Sequence, residues 1–309
     1  MKPDKKINEK GGELMVLSQL DDGIYLSEIN LAGTHDSCTA FVSMENMARC
    51  QSLTVKEQLK LGIRLFDIRL NRKGNEFYLV HSLADCYCDK GKTNKLTFSA
   101  VLSDFREFLK DNPREVLVIS IKQDRGIMSR SFFPAFYNKY IKGNEDEWYL
   151  KNENPTLGQI RGKTVLMRRC KVWRKYMERV NAGLDFSRWK DQAGARKTKT
   201  EKTVLCVDSA AVEPKVLEAE IQDRYSLDCK KKWFLSARPF LERCETSKDE
   251  FCLHFISTSY RKKGETLAKT AEEMNGYFRE YELKKRKGWI FLDFPDRDIV
   301  EKINLSNKL

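Results

Sequence analysis

The chain has 309 residues, 41% hydrophobic and 11% aromatic, enough to bury a large core, which excludes wholesale disorder. No stretch approaches the roughly 18 unbroken apolar residues of a spanning helix, and the mean hydropathy is -0.58. Fifty-seven Lys and Arg against 45 Asp and Glu leave a net charge of +12, which favours anionic partners (nucleic acid, acidic lipid, phosphorylated small molecules) without choosing among them.

The N-terminal stretch MKPDKKINEKGGELM has no apolar h-region, so no signal peptide is visible. A strand is expected at 27–32, running into Gly33. A short helix over 54–61 opens on Thr54 and Glu57 at capping-box spacing and stops at Gly62. Strands follow at 63–70 (IRLFDIRL) and 77–80. The pattern at 99–110 sets Val101, Leu102, Phe105, Phe108 and Leu109 on one helical stripe that ends before Pro113. Residues 115–122 (EVLVISIK) and 163–169 (KTVLMRR) read as buried strands. Residues 186–203 carry little pattern and read as a surface loop. A weaker strand lies near 221–225, then strands at 251–257 and 289–294 flank a helix over 265–285. Nine cysteines include no CxxC pair, which argues against structural zinc and for free thiols in a reducing compartment.

Alternating strands and helices through one chain of this length suggest a parallel barrel, in which chemistry sits at the C-terminal ends of strands. The expected ends carry His35 and Asp36, Asp67 and Arg69, His81, Lys122, Arg168 and Arg169, and Asp293. Only three histidines exist, and two of them close strands. On IRLFDIRL, alternation puts Leu65, Asp67 and Arg69 on one face and Phe66, Ile68 and Leu70 on the other. If the apolar set packs on helices, Asp67 and Arg69 point into the barrel mouth. A buried guanidinium there needs an anion; Asp67 supplies part of it and a substrate phosphate more. Two imidazoles with a guanidinium suit cleavage of a phosphodiester by a neighbouring hydroxyl: one base, one acid, and one cation on the phosphoryl oxygens.

The ordered set LAGTHDS (31–37), LFDIRL (65–70) and VHS (80–82) resembles the X-type catalytic domain of phosphatidylinositol-specific phospholipase C, above all the bacterial form. Weaker echoes are SIK (120–122), RGKTVLMRR (161–169), QDRY (222–225) and GWIFLDF (288–294). The resemblance implies an α/β fold, an irregular and incompletely closed TIM-type (β/α)8 barrel, as one catalytic domain with a core of about 28–303. It implies that His35 is the general base on the inositol 2-hydroxyl, oriented by Asp293. His81 is then the general acid, assisted by Asp36, and Arg69 contacts the phosphate. Lys122, Arg169, Asp223 and Tyr225 would line the inositol pocket, with strand register deciding between Arg168 and Arg169. The implied product is inositol 1,2-cyclic phosphate.

Calcium-dependent relatives carry carboxylate ligands where Arg69 stands, so the resemblance implies no metal and no cofactor. The implied partner is phosphatidylinositol, or its glycosylated form, at a membrane interface, with peripheral attraction to acidic lipid. No nucleic-acid motif is present, and a monomer is expected. The bacterial relatives enter membranes through tryptophans, which the matching stretches 41–48 and 257–265 lack. Phe41, Val42, Met44 and Met47, and Tyr260 with Arg261, Lys262 and Lys263, are the substitutes, although Phe41, Met44 and Met47 suit a core equally well. The location expected is cytoplasmic, or secreted with a leader not contained in this sequence. Two alternatives are a metal-dependent phosphodiesterase of the glycerophosphodiester or sphingomyelin type, and a catalytically silent inositol-lipid-binding barrel.

Overall fold

The computed structural model describes residues 17–177, 179–193, 201–207, 216–262 and 264–308. Its strands are β1 (Leu31–Thr34), β2 (Leu65–Lys73), β3 (Glu76–His81), β4 (Ala84–Asp85), β5 (Leu117–Gln123), β6 (Trp148–Tyr149), β7 (Thr164–Arg168), β8 (Leu184–Asp185), β9 (Glu201–Val207), β10 (Val216–Gln222), β11 (Glu250–Phe255) and β12 (Trp289–Leu292). They form one sheet whose main path runs β6-β7-β5-β2-β1-β12-β11-β10-β9, with β3 attached to β2, β4 to β3 and β8 to β7. From β6 to β10 every ladder is parallel, and β9 joins β10 antiparallel.

Alternation decides what each strand faces. Phe66, Ile68 and Leu70 of β2 join Leu117, Ile119 and Ile121 of β5 in an outer cluster, which includes Val101, Phe105 and Phe108 of the helix Phe98–Asp111. Leu65, Val118, Val165, Met167, Ile221, Leu253 and Phe291 form a separate inner cluster. That inner cluster draws on strands from both halves of the order, so the sheet curls upon itself. No ladder joins β8 to β9 among the described residues. The result is the incompletely closed TIM-type barrel expected.

Local signals account for most boundaries. Thr54 accepts the Glu57 amide while Glu57 returns to the Thr54 amide, and Gly62 ends the helix Val55–Leu61 at φ 101°, a conformation that favours glycine. The long helices are Phe98–Asp111, capped by Thr97, and Leu267–Glu280, capped by Thr266; the latter stops five residues short of the expected end. The expected strand at 27–32 is instead a 3-10 turn, Leu26–Glu28, followed by β1. Ser27 there is held by Asn154 and by the Ser247 carbonyl. Helices Phe132–Tyr140 and Arg297–Leu305 were not expected.

Three further expectations are corrected. β3 is not a parallel barrel strand; it returns antiparallel along β2 after a turn at Gly74. The expected loop at 186–203 runs into β9, and its residues 194–200 lie outside those described. The thiols are not all free. Cys244 and Cys252 form a disulfide with Cα atoms 6.6 Å apart, because the end of the helix Arg238–Arg243 packs on β11 around Phe240. A pair eight residues apart carries no local motif. Among the described residues, no helix is long and apolar enough to cross a membrane.

Candidate active site

The loop after β1 is built by its own hydroxyls. Thr34 donates to Ser37, and Ser37 accepts from the Asp67 amide, which fastens β1 to β2. Asp36 takes a left-handed backbone, φ 44°, an uncommon conformation for a residue with a side chain. This geometry sends His35 and Asp36 into the barrel mouth. Gln51 donates to the carbonyls of His35 and Leu292 and so locks β1 against β12. Asn275 holds the carbonyls of Asp293 and Phe294 from the neighbouring helix.

His35 and His81 meet edge to face with ring centroids 6.1 Å apart. His35 donates from Nδ1 to Asp293 Oδ1 at 2.9 Å. Its Nε2 lies 2.9 Å from Arg69 Nη2 and 3.1 Å from Asp36 Oδ2. Neutral His35 accepts from Arg69 there; protonated His35 donates to Asp36. Arg69 Nε lies 3.0 Å from Asp67 Oδ2 and 3.1 Å from Asp36 Oδ1. His81 donates from Nδ1 to the Ala48 carbonyl at 2.8 Å, which leaves Nε2 facing Asp36 Oδ2 at 3.4 Å. Both histidine side chains are only about one-fifth exposed.

The cavity above this cluster measures about 540 Å³ and is lined by His35, Arg69, His81, Lys122, Arg169, Asp223, Tyr225 and Asp293. The cluster therefore faces a space large enough for a small ligand.

Comparison with known proteins agrees. The PI-PLC X 1 family matches residues 23–165. The chain is 28% identical to the 1-phosphatidylinositol phosphodiesterase of Staphylococcus aureus strain Newman, over 94% of this chain and 93% of that protein. A solved variant of the Staphylococcus aureus phosphatidylinositol-specific phospholipase C superposes with a TM-score of 0.77 at 25% identity, covering 95% of this chain and 96% of that one. A second, from work on that enzyme's membrane binding, gives 0.74 at 25% identity, covering 95% and 97%. The chain is thus similar over nearly its whole length to phosphatidylinositol-specific phospholipases C of the bacterial type.

All nine site residues expected from sequence lie in or directly beneath this cavity. Eight line it; Asp36 is buried below, between the two imidazoles. Register is resolved in favour of Arg169. Arg168 turns outward to Asp185 and the carbonyls of Ala182 and Cys170. Arg169 turns inward, 3.4 Å from Asp67, with its guanidinium 3.7 Å above the Trp189 ring. Asp223 and Tyr225 sit just past β10, and Tyr225 donates to Asp191 at 2.7 Å. Trp189 and Asp191 were missed because they fall in the segment read as a surface loop. Asp124 was also missed; it binds Lys122 at 2.8 Å and lies 3.7 Å from Arg69. So was Lys232, fully buried behind the pocket and donating to Gln222.

Charge balance shapes the site. Burial alone would lift the Asp67 carboxyl, but Arg69 and Arg169 outweigh it and hold it at about 2. Burial opposes the His35 imidazolium, yet Asp293 and Asp36 outweigh that and raise its pKa to about 9. Burial lowers Lys232 to about 7, against the pull of Asp223. At the rim, Met44 and Met47 are half exposed, Phe41 is half-buried and Val42 is core. Tyr260 is 42% exposed, and Arg261 donates to the Asn46 carbonyl, tying the rim loop to the helix Glu45–Ala48. Lys263 lies outside the described residues.

Asp293 and Asp36 thus favour the protonated form of His35 in the free protein, against burial and Arg69. An imidazole NMR titration should find its midpoint well above the ordinary value of about 6.5, near 9. Asp293→Asn removes an attracting carboxylate and should move that midpoint down; a midpoint unmoved by Asp293→Asn would refute the pairing.

Proposed function

We propose that the protein cleaves phosphatidylinositol by internal transfer of the phosphate to the inositol 2-hydroxyl, releasing diacylglycerol and inositol 1,2-cyclic phosphate. The observation that carries this reading is the convergence of two imidazoles and one guanidinium on a single cavity. One catalytic unit, spanning about 28–303, would carry it out.

In this reading, neutral His35 takes the 2-hydroxyl proton through Nε2, while its Nδ1 proton stays with Asp293. Arg69 swings its Nη2 donor from His35 to a phosphoryl oxygen and stabilises the charge that develops there. Protonated His81 gives its Nε2 proton to the diacylglycerol oxygen, held toward it by Asp36. Lys122 and Arg169 supply donors for inositol hydroxyls, Asp223 accepts from them, and Tyr225 packs on the ring face. Trp189 braces Arg169 from behind.

The arrangement favours this over a metal-dependent phosphodiesterase. His35, Asp36 and Asp67 offer ligand atoms close enough to hold a cation. The Arg69 guanidinium already stands between Asp36 and Asp67, so an organic cation takes the position a hard ion would need. The silent-barrel alternative has no support in a cluster that keeps both imidazoles, their carboxylates and an open cavity.

Peripheral contact with acidic lipid through Met44, Met47, Tyr260 and the basic rim belongs to the same proposal. The disulfide suits an oxidising compartment and counts against the cytoplasmic expectation.

Phosphorus NMR of the products from phosphatidylinositol in excess chelator tests the reaction. The expected signal is the cyclic phosphodiester, and His35→Ala and His81→Ala should each lose about 10²–10⁴-fold in rate. A linear monoester as the first product, or a fully active His81→Ala, would contradict the mechanism. Binding to vesicles containing acidic lipid should weaken steeply between low and high salt; binding indifferent to salt would remove the electrostatic part.

A further inference from the structure

Cys50 has no part in the proposed reaction, yet its side chain lies in the wall of the active cavity. It is buried, and Sγ sits 3.8 Å from Nδ1 of His81. One ligand atom from each of Asp36, Cys50 and His81 lies within 4.8 Å of the others. The same holds for His35, Cys50 and Asp293. We propose that Cys50, His81 and Asp36 form a binding site for a thiophilic divalent cation such as zinc, and that occupancy of this site shuts off the active centre. The inhibitory consequence rests on the phosphodiesterase reading; the binding does not.

The donor chemistry is that of a borderline-soft ion: one sulfur, one imidazole nitrogen, one carboxylate oxygen. The Ala48 carbonyl fixes the Nδ1 proton of His81, so Nε2 is the nitrogen with a lone pair to give. Nε2 and Asp36 Oδ2 are 3.4 Å apart. A zinc tetrahedron with bonds of about 2.0–2.1 Å has edges of about 3.3 Å, so two corners are already spaced correctly. Closing the third asks the Cys50 side chain to turn its sulfur from beside Nδ1, where it sits 3.8 Å away, toward Nε2. Asp36 is buried, and its carboxylate oxygens meet Arg69 at 3.1 Å and the two imidazoles at 3.1 and 3.4 Å as ion pairs, without a well-aligned hydrogen bond to hold them. Calcium and magnesium, which demand a shell of oxygens, do not match this set.

Binding is an exchange. The Cys50 S–H bond breaks, its proton goes to solvent, and the sulfur's electron pair bonds the cation. Burial, with the nearby Asp293 and Asp36 carboxylates, keeps that thiol protonated until a cation displaces the proton. Affinity should therefore rise with pH. Once bound, the ion holds the His81 lone pair and the Asp36 carboxylate, so the acid and one anchor of Arg69 are both withdrawn.

Cobalt(II) titrated into the full chain under non-reducing conditions is the test. The expected spectrum shows a thiolate-to-cobalt charge-transfer band saturating at one ion per chain. Zinc should erase that band and, in parallel, suppress phosphatidylinositol turnover, with chelator restoring the rate. Cys50→Ser should abolish the band. It should also weaken zinc inhibition, relative to its own metal-free rate, by at least the roughly 10–100-fold that losing an outer-shell partner costs. Cys88→Ser, at an exposed thiol, should change neither. If Cys50→Ser does not fold, X-ray absorption of the zinc-loaded protein should still find one sulfur at about 2.3 Å among lighter ligands. No band, a band that survives Cys50→Ser, or a zinc shell without sulfur overturns the site. Unchanged turnover at a saturated band overturns the inhibition. A chain that forms the band yet never cleaves phosphatidylinositol supports the site and defeats the catalytic reading instead.

Discussion

The site depends on one buried cation. Arg69 touches Asp67 and Asp36 through Nε, approaches Asp124 through Nη1, and reaches His35 through Nη2. A planar guanidinium presents these donors in a fixed fork, so the positions of its partners are coupled. Without it, Asp36 and Asp67 would face each other across a low-dielectric pocket, with Arg169 beside Asp67 left to offset the pair. The carboxylates in turn hold Arg69 charged and aimed at the cavity, despite its burial.

The scaffold makes that cluster affordable. Alternation along β2 hands Phe66, Ile68 and Leu70 to the outer helices and leaves Leu65, Asp67 and Arg69 facing in. Gly33 lets β1 lie close against β2, where any Cβ would meet the Leu65 side chain at 2.7 Å. The antiparallel return of β3, in register Leu70↔Leu79, brings His81 back to within 6.1 Å of the His35 ring. The two imidazoles thus come from different strands and converge on Asp36.

Much of this was legible in the chain, for physical reasons. A parallel barrel exposes strand ends, so a histidine or arginine that closes an apolar run is visible from periodicity alone; His35, Arg69, Lys122 and Asp293 are of this kind. Asp36 and His81 also stand at expected strand ends, and the family motifs carried Asp223 and Tyr225. What stayed hidden depends on chain segments meeting in space. Trp189 and Asp191 lie in a polar stretch without periodicity and line the pocket only because that stretch folds against Arg169 and Tyr225. Lys232 reads as the last of three consecutive helix lysines, Lys230–Lys232. Its burial follows from packing behind Gln222. The Cys244–Cys252 bridge needs a helix end to meet a strand, which no spacing rule announces.

The most direct test of the central claim is turnover of phosphatidylinositol by Arg69→Met, with its fold checked by circular dichroism. The account predicts a loss of about 10²–10³-fold, as for removal of a preorganised donor at a developing oxyanion. Turnover at the unmodified rate by a folded Arg69→Met protein would contradict it.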